Sequence, residues 1–80
     1  MSAFPLREPS IAALADAPVY FRYGSAKRRI LVDGLTARAI LLVHGAASPE
    51  QQAKVARMVA GSPGQLSRIA DFAMRHCTLA

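Results

Sequence analysis

Apolar and outward-facing positions alternate in one short segment of the first half of the chain, and apolar residues recur at helical spacing in the second half. Residues 19–23 read VYFRY, so Val19, Phe21 and Tyr23 share one face of an extended segment. Residues 29–33 are again mostly apolar, and a glycine-containing turn lies between the two segments. The pattern predicts a β-hairpin with strands at 19–23 and 29–33.

Two helices are predicted after residue 48, because the same start signal occurs twice. A serine–proline pair stands at residues 48–49 and again at 62–63. Serine is a good helix N-cap, and proline is favoured at the first helical position. Apolar side chains then recur at spacings of three and four. The predicted helices are 49–60 and 63–76, with Gly61 just after the end of the first.

Residues 35–47 fit two different structures. Asp33-Gly34 is a turn signal typical of hairpins, which would make this segment a third strand. Thr36 is also a suitable helix N-cap, and alanine and leucine, which favour helices, are frequent after it. We predict a helix over 36–46.

Together these elements predict a small α+β fold in a single domain that spans residues 1–80. A short helical turn is expected at residues 11–16, after an irregular N-terminal lead-in over residues 1–9. Eighty residues are enough for one small hydrophobic core. Residues 37–43 are apolar on nearly every side of the predicted helix, so we expect surplus apolar surface to be shared in a homodimer.

The composition narrows the class of protein. Hydrophobic residues make up 52% and charged residues 19% of the chain, which excludes a disordered tail. The longest apolar run is far shorter than a bilayer span, so no membrane association is expected. The single cysteine, Cys77, cannot form an intrachain disulfide, which favours a cytoplasmic location.

Candidate catalytic and metal-binding groups are few. Residues 40–45, ILLVHG, resemble the strand and His-Gly loop that precede the oxyanion hole in α/β-hydrolases. That resemblance implies a G-x-S-x-G nucleophile turn, and the sequence contains none. His44, His76 and Cys77 are the only soft metal ligands, and they lack the paired spacing of a zinc site. We therefore expect no enzymatic activity, no cofactor and no bound metal.

The net charge is +5, and most of it lies in residues 18–38. Four of these cations, Arg22, Lys27, Arg28 and Arg29, belong to the predicted hairpin, where tyrosines stand among them. Basic residues with aromatic neighbours can contact phosphates and stack bases, or can contact an acidic protein surface. They can also serve only to keep an edge strand from aggregating.

The last two predicted helices resemble a helix-turn-helix motif in the positions of their apolar residues and in a short turn that contains glycine. The resemblance implies that Gln65 and Arg68 lie near the start of a recognition helix, where such side chains read base edges. The sequence departs from the motif at the turn, where Ala60 stands in place of the expected glycine.

From these features we expect a small non-enzymatic interaction protein that regulates or inhibits a larger bacterial assembly by occupying its surface. Phage proteins that block bacterial machinery, anti-CRISPR proteins among them, are an analogous class in size and composition. The expected partner is a protein with an acidic surface, and the alternative is that the chain is a small basic DNA- or RNA-binding regulator. The candidate contact residues are Arg22, Lys27, Arg28, Arg29, Gln65 and Arg68.

Overall fold

The computed structural model describes residues 4–24 and 28–76 and has the predicted α+β architecture. Its elements are β1 (Leu6–Arg7), α1 (Ile11–Leu14), β2 (Val19–Tyr23), β3 (Arg28–Val32), α2 (Gly34–Ala46), α3 (Pro49–Gly61) and α4 (Pro63–His76). The three strands form one sheet in the order β1-β2-β3. Strand β1 is parallel to the central strand and β3 is antiparallel to it. The predicted hairpin and the three predicted helices are confirmed.

The expectation of an irregular lead-in over residues 1–9 is wrong at strand β1. The Tyr20 N–H donates to the Pro5 carbonyl oxygen at 2.8 Å, and Leu6 lies opposite Tyr20 in the parallel register. A strand of two residues has no alternation to detect, so the sequence pattern contains no sign of it. The helical turn that follows is α1, which ends at Leu14 rather than at residue 16.

The central strand buries every second side chain, as its alternation predicts. Val19, Phe21 and Tyr23 are buried, whereas Tyr20 is half-buried and Arg22 is exposed. The buried side chains of the sheet and of all four helices form one cluster. Its members are Ala13, Leu14, Val19, Phe21, Tyr23, Val32, Ala37, Ala39, Ile40, Val55, Val59, Leu66, Ile69 and Ala73.

The segment with two possible structures is a helix, as predicted, but it begins earlier than expected. Asp33 is the N-cap of α2, and its Oδ1 accepts a hydrogen bond from the Thr36 N–H at 2.6 Å. Hydrogen bonds from the Thr36 backbone and hydroxyl lower the pKa of the Asp33 carboxyl. Because aspartate is a better N-cap than threonine, Gly34 becomes the first helical residue. Strand β3 ends at Val32 for the same reason, one residue before its predicted end.

Ser62 alone connects α3 and α4. It is the C-cap of α3, with φ −165° and ψ 162°, and its Oγ accepts from the Gln65 N–H at 3.2 Å. Because one serine serves both helices, Gly61 is the last residue of α3 and not the residue after it. Ser48 caps the start of α3 in the same way, accepting from the Gln51 N–H at 3.3 Å, so the repeated start signal is confirmed.

The Tyr23 hydroxyl joins the sheet to α3. It donates to the Val59 carbonyl oxygen at 2.6 Å. In a continuous helix this carbonyl would accept from residue 63, but that residue is Pro63 and has no N–H. Both Tyr23 and Val59 are buried, and burial raises the pKa of Tyr23 to about 12. The hydrogen bond therefore satisfies two polar groups that water does not reach.

Ile40 and Leu42 provide a matched test of how α2 faces the core. Ile40 is fully buried, so Ile40→Ala should lower the free energy of unfolding by about 2–5 kcal/mol. Leu42 is 48% exposed, so Leu42→Ala should cost less than about 1 kcal/mol. Urea titration of both variants measures the two losses, and losses of equal size would contradict this orientation of the helix.

The hydrogen bond from Tyr23 predicts a specific dependence of stability on pH. Tyr23→Phe leaves the buried Val59 carbonyl without its donor, so we expect a loss of about 1–3 kcal/mol. Tyrosine in the unfolded chain loses its proton near pH 10, whereas folded Tyr23 retains it to about pH 12. The unfolded state binds fewer protons in this window, so the native protein should lose stability as the pH rises through it. Urea titrations at several pH values should show a shallower decline for Tyr23→Phe, and parallel declines would be the contrary result.

Candidate functional site

The side of the sheet opposite the core carries a row of exposed apolar side chains. Leu6, Tyr20 and Leu31 lie opposite one another across the three strands. The Phe4 ring lies beside this row, with its centroid 6.3 Å from that of Tyr20. Phe4, Leu6 and Leu31 are each 46% exposed. The outer sheet face, as the term is used below, consists of Phe4, Leu6, Tyr20, Leu31, Arg22 and Arg29.

Arg22 and Arg29 lie directly opposite each other in the β2–β3 pair. Like charges at such positions repel each other and destabilise the sheet. The two guanidinium groups turn to different partners. Arg22 donates from Nε and Nη2 to Glu8 Oε2, at 3.1 and 2.6 Å, whereas the Arg29 guanidinium lies 5.9 Å from the centroid of the Tyr20 ring. Arg29 is therefore an exposed cation with no carboxylate partner among the described residues.

The other two predicted hairpin contacts are Lys27 and Arg28. Lys27 lies outside the described residues. Arg28 begins β3, where it is paired with Tyr23 in the antiparallel register. Of the four hairpin cations, the structure thus shows two, Arg22 and Arg29, on one face of the sheet.

Gln65 and Arg68 are exposed near the start of α4, but they do not extend the outer sheet face. The side of α4 that faces β3 carries Pro63, Leu66, Ser67 and Ala70, which share a cleft with residues 30–33. Successive residues of a helix are turned by about 100°, so Gln65 and Arg68 project on other sides of α4. The two groups of predicted contact residues therefore do not form one surface.

The α3–α4 pair differs from a helix-turn-helix motif in its connection. That motif has a turn of three to four residues, whereas only Ser62 stands between these helices. The Gln65 side chain also lies back towards α3, since a methyl group added at Gly61 would overlap its Oε1. The side chain expected to read base edges is thus placed against the preceding helix.

Residues 40–45, which resemble a hydrolase strand and loop, lie inside α2. The strand implied by that resemblance is wrong, because these residues are helical. His44 is in the last turn of α2, where a cation is favoured by the helix dipole, and its carbonyl oxygen accepts from Gln52 Nε2 at 2.9 Å. Within residues 4–24 and 28–76, no three histidine, cysteine, aspartate or glutamate side chains are grouped closely enough to hold a metal ion.

A groove of about 320 Å³ lies between α2, α3 and α4. Val43, Met58 and Phe72 are among its apolar lining residues, and Gln51 and Lys54 are its polar ones. A specific small-molecule site usually needs several polar groups that converge on the ligand. Both polar residues here come from α3, so the groove offers apolar contact with little to orient a ligand.

Sequence reasoning identified Tyr20, Arg22 and Arg29 as hairpin residues but did not place Leu31, Leu6 or Phe4 beside them. The alternation of β3 contains a usable signal, because Leu31 is two residues from Arg29 and shares its face. Leu6 and Phe4 lie on this face only because β1 pairs with β2. No local pattern in the sequence predicts that pairing.

None of the helices in the described part of the chain combines the length and the apolar character needed to cross a membrane. Comparisons with protein-family models, curated proteins and solved structures find no match to this chain. Its function is therefore inferred from the chemistry of the outer sheet face.

Proposed function

We propose that the protein binds another protein through the outer sheet face and acts as a regulator or inhibitor by occupying the surface of a bacterial assembly. The row of Leu6, Tyr20 and Leu31 carries this proposal, because it is an apolar strip across all three strands, with Leu6 and Leu31 exposed and Tyr20 half-buried between them. Protein interfaces combine an apolar centre with a polar rim and are enriched in tyrosine and arginine. The single cysteine of the chain supports action in the cytoplasm.

The charge of the outer sheet face favours an acidic partner. Arg29 is exposed, and its guanidinium lies 5.9 Å from the centroid of the Tyr20 ring. A partner carboxylate would give this guanidinium charge-assisted hydrogen bonds, which are stronger than a solvated cation–π contact. Arg22 already binds Glu8 in this way, so the face itself contains an example of the contact that we propose. The net charge of +5 would speed association with an acidic surface.

The alternative partner is nucleic acid, and the two aromatic rings of the outer sheet face favour it. Phe4 and Tyr20 could stack bases while the nearby arginines contact phosphates. Two features support a protein instead. Leu6 and Leu31 offer apolar contact without a ring for stacking, and the exposed Glu8 carboxylate would repel phosphate.

The homodimer predicted from the sequence is a separate proposal that concerns α2. Leu35 and Leu42 are 54% and 48% exposed, so they could form part of an interface between two copies. Ala37, Ala39 and Ile40 are buried in the core of the single chain and offer no such surface. Support for a dimer through α2 is therefore limited to the two exposed leucines.

Leu31 and Leu42 provide a matched pair for testing the proposed surface. They have similar exposure, but Leu31 is on the outer sheet face and Leu42 is on α2. We expect the immobilised wild-type protein and Leu42→Ser to retain the same protein from a nuclease-treated bacterial lysate. Leu31→Ser should bind that protein more weakly by about tenfold, which corresponds to about 1.4 kcal/mol. Mass spectrometry identifies the retained protein, and equal retention by all three chains would place the interface elsewhere.

Salt dependence separates the nucleic-acid alternative from the main proposal. We expect that the purified chain does not bind random-sequence duplex DNA at physiological salt. If it does bind, its affinity should fall as the salt concentration rises. Each phosphate contact makes the plot of log affinity against log salt concentration steeper by about 0.9. Replacing Arg22 and Arg29 by alanine should then flatten the slope by about 2, whereas Lys54→Ala with Arg57→Ala on α3 should leave it unchanged. Micromolar, salt-steep binding with this pattern would make nucleic acid the favoured partner.

A further inference from the structure

The direction of the backbone groups in β2 follows from one hydrogen bond. The Tyr20 N–H donates to the Pro5 carbonyl oxygen at 2.8 Å, so Tyr20 turns its backbone groups towards β1. In a strand, the N–H and C=O of one residue point to the same side, and those of the next residue point to the other. Val19, Phe21 and Tyr23 therefore turn their backbone groups towards β3.

Strand β3 consequently has an open edge. The residues opposite Val19, Phe21 and Tyr23 are Val32, Ile30 and Arg28, and these complete the ladder between the two strands. The two residues between them, Arg29 and Leu31, turn their N–H and C=O groups away from β2. These groups form no backbone hydrogen bond with the described residues. Such an edge is a template for an additional strand.

A cleft of about 170 Å³ lies next to this edge. Residues 30–33 line one side, and Pro63, Leu66, Ser67 and Ala70 of α4 line the other. The α4 wall is formed by short or apolar side chains, so it leaves room beside β3. The cleft can hold one small apolar side chain of a strand whose backbone pairs with the edge.

We propose that β3 binds an extended segment of the protein partner as a fourth, antiparallel strand. This inference rests on the proposed function, because it specifies how the partner binds. In antiparallel order, one residue of the segment lies opposite Leu31, the next lies over the cleft, and the third lies opposite Arg29. An apolar residue suits the first position, a small apolar residue the second and a carboxylate the third. The segment therefore has the order apolar, small apolar, acidic.

The β3 edge of a second copy is a poorer occupant than an acidic segment. Symmetric antiparallel pairing about Ile30 would place the Arg29 residues of two copies at diagonal positions, with their Cα atoms about 7–8 Å apart. Each copy also carries a net charge of +5, which adds to the repulsion. The arginine thus disfavours self-pairing and favours a segment with a carboxylate.

The test titrates the full chain into a short fluorescent peptide that contains Val-Ala-Glu and measures anisotropy. N-methylation of the valine removes the donor that faces the Leu31 carbonyl oxygen, so it should weaken binding by about tenfold or more. N-methylation of the alanine changes an N–H that faces away from β3 and should leave the affinity within about twofold. The order Glu-Ala-Val should bind at least about tenfold more weakly, because its carboxylate would lie opposite Leu31.

Variants of the chain provide a second measurement. Leu31→Pro removes the leucine side chain and, from the backbone, only an N–H on the open edge, where proline is tolerated; it should abolish peptide binding. Leu31→Ala keeps that N–H and is the matched control, which should bind at least about tenfold more tightly than the proline variant. If Leu31→Pro does not fold, the methylated peptides still decide the question with the unaltered chain.

Three results would overturn strand addition. Equal weakening by the two N-methyl groups would show that the backbone ladder does not hold the peptide. Light scattering that finds a dimer abolished by Leu31→Pro would make a second copy the occupant of the edge. Absence of binding by every peptide would end this inference, while capture of a protein through the outer sheet face would still support the proposed function.

Discussion

A strand that buries one face must leave its other face outside, and this constraint acts on the central strand of the sheet. Val19, Phe21 and Tyr23 hold β2 against the helices, so Tyr20 and Arg22 are left in the middle of the opposite face. A slip of one residue in the pairing would expose all three buried side chains. The packing that stabilises the core therefore also determines which side chains the outer sheet face presents.

The parts of the fold that the sequence predicts are those with a local physical signal. Strand β2 of the hairpin alternates between core-facing and outward residues, and α3 and α4 each begin with a capping serine whose Oγ accepts from an N–H three residues on. Asp33 was harder to interpret, because aspartate favours both tight turns and helix N-caps. Its role depends on whether the residues after it pack as a strand or as a helix. Leu6 was missed because its strand forms only when distant residues pair with it.

The candidate site was predictable only where neighbours in sequence are also neighbours in the sheet. Charge alone points to Arg22 and Arg29, and the hairpin register places them opposite each other. The relation of Gln65 and Arg68 to the hairpin depends on how α4 is rotated against the core. That rotation is set by the burial of side chains such as Leu66 and Ile69, which no pattern in the hairpin reveals.

The connection between α3 and α4 limits how the length of the chain can change. Surface loops usually accept inserted residues at little cost, because a loop has slack to absorb them. The connection at Ser62 has no spare residue, since this serine ends one helix and caps the next. An added residue would have to separate the two roles of the serine or unwind a helix end, and so disturb the position of Val59 relative to Tyr23. At this corner the number of residues is constrained as tightly as the identity of a side chain in the core.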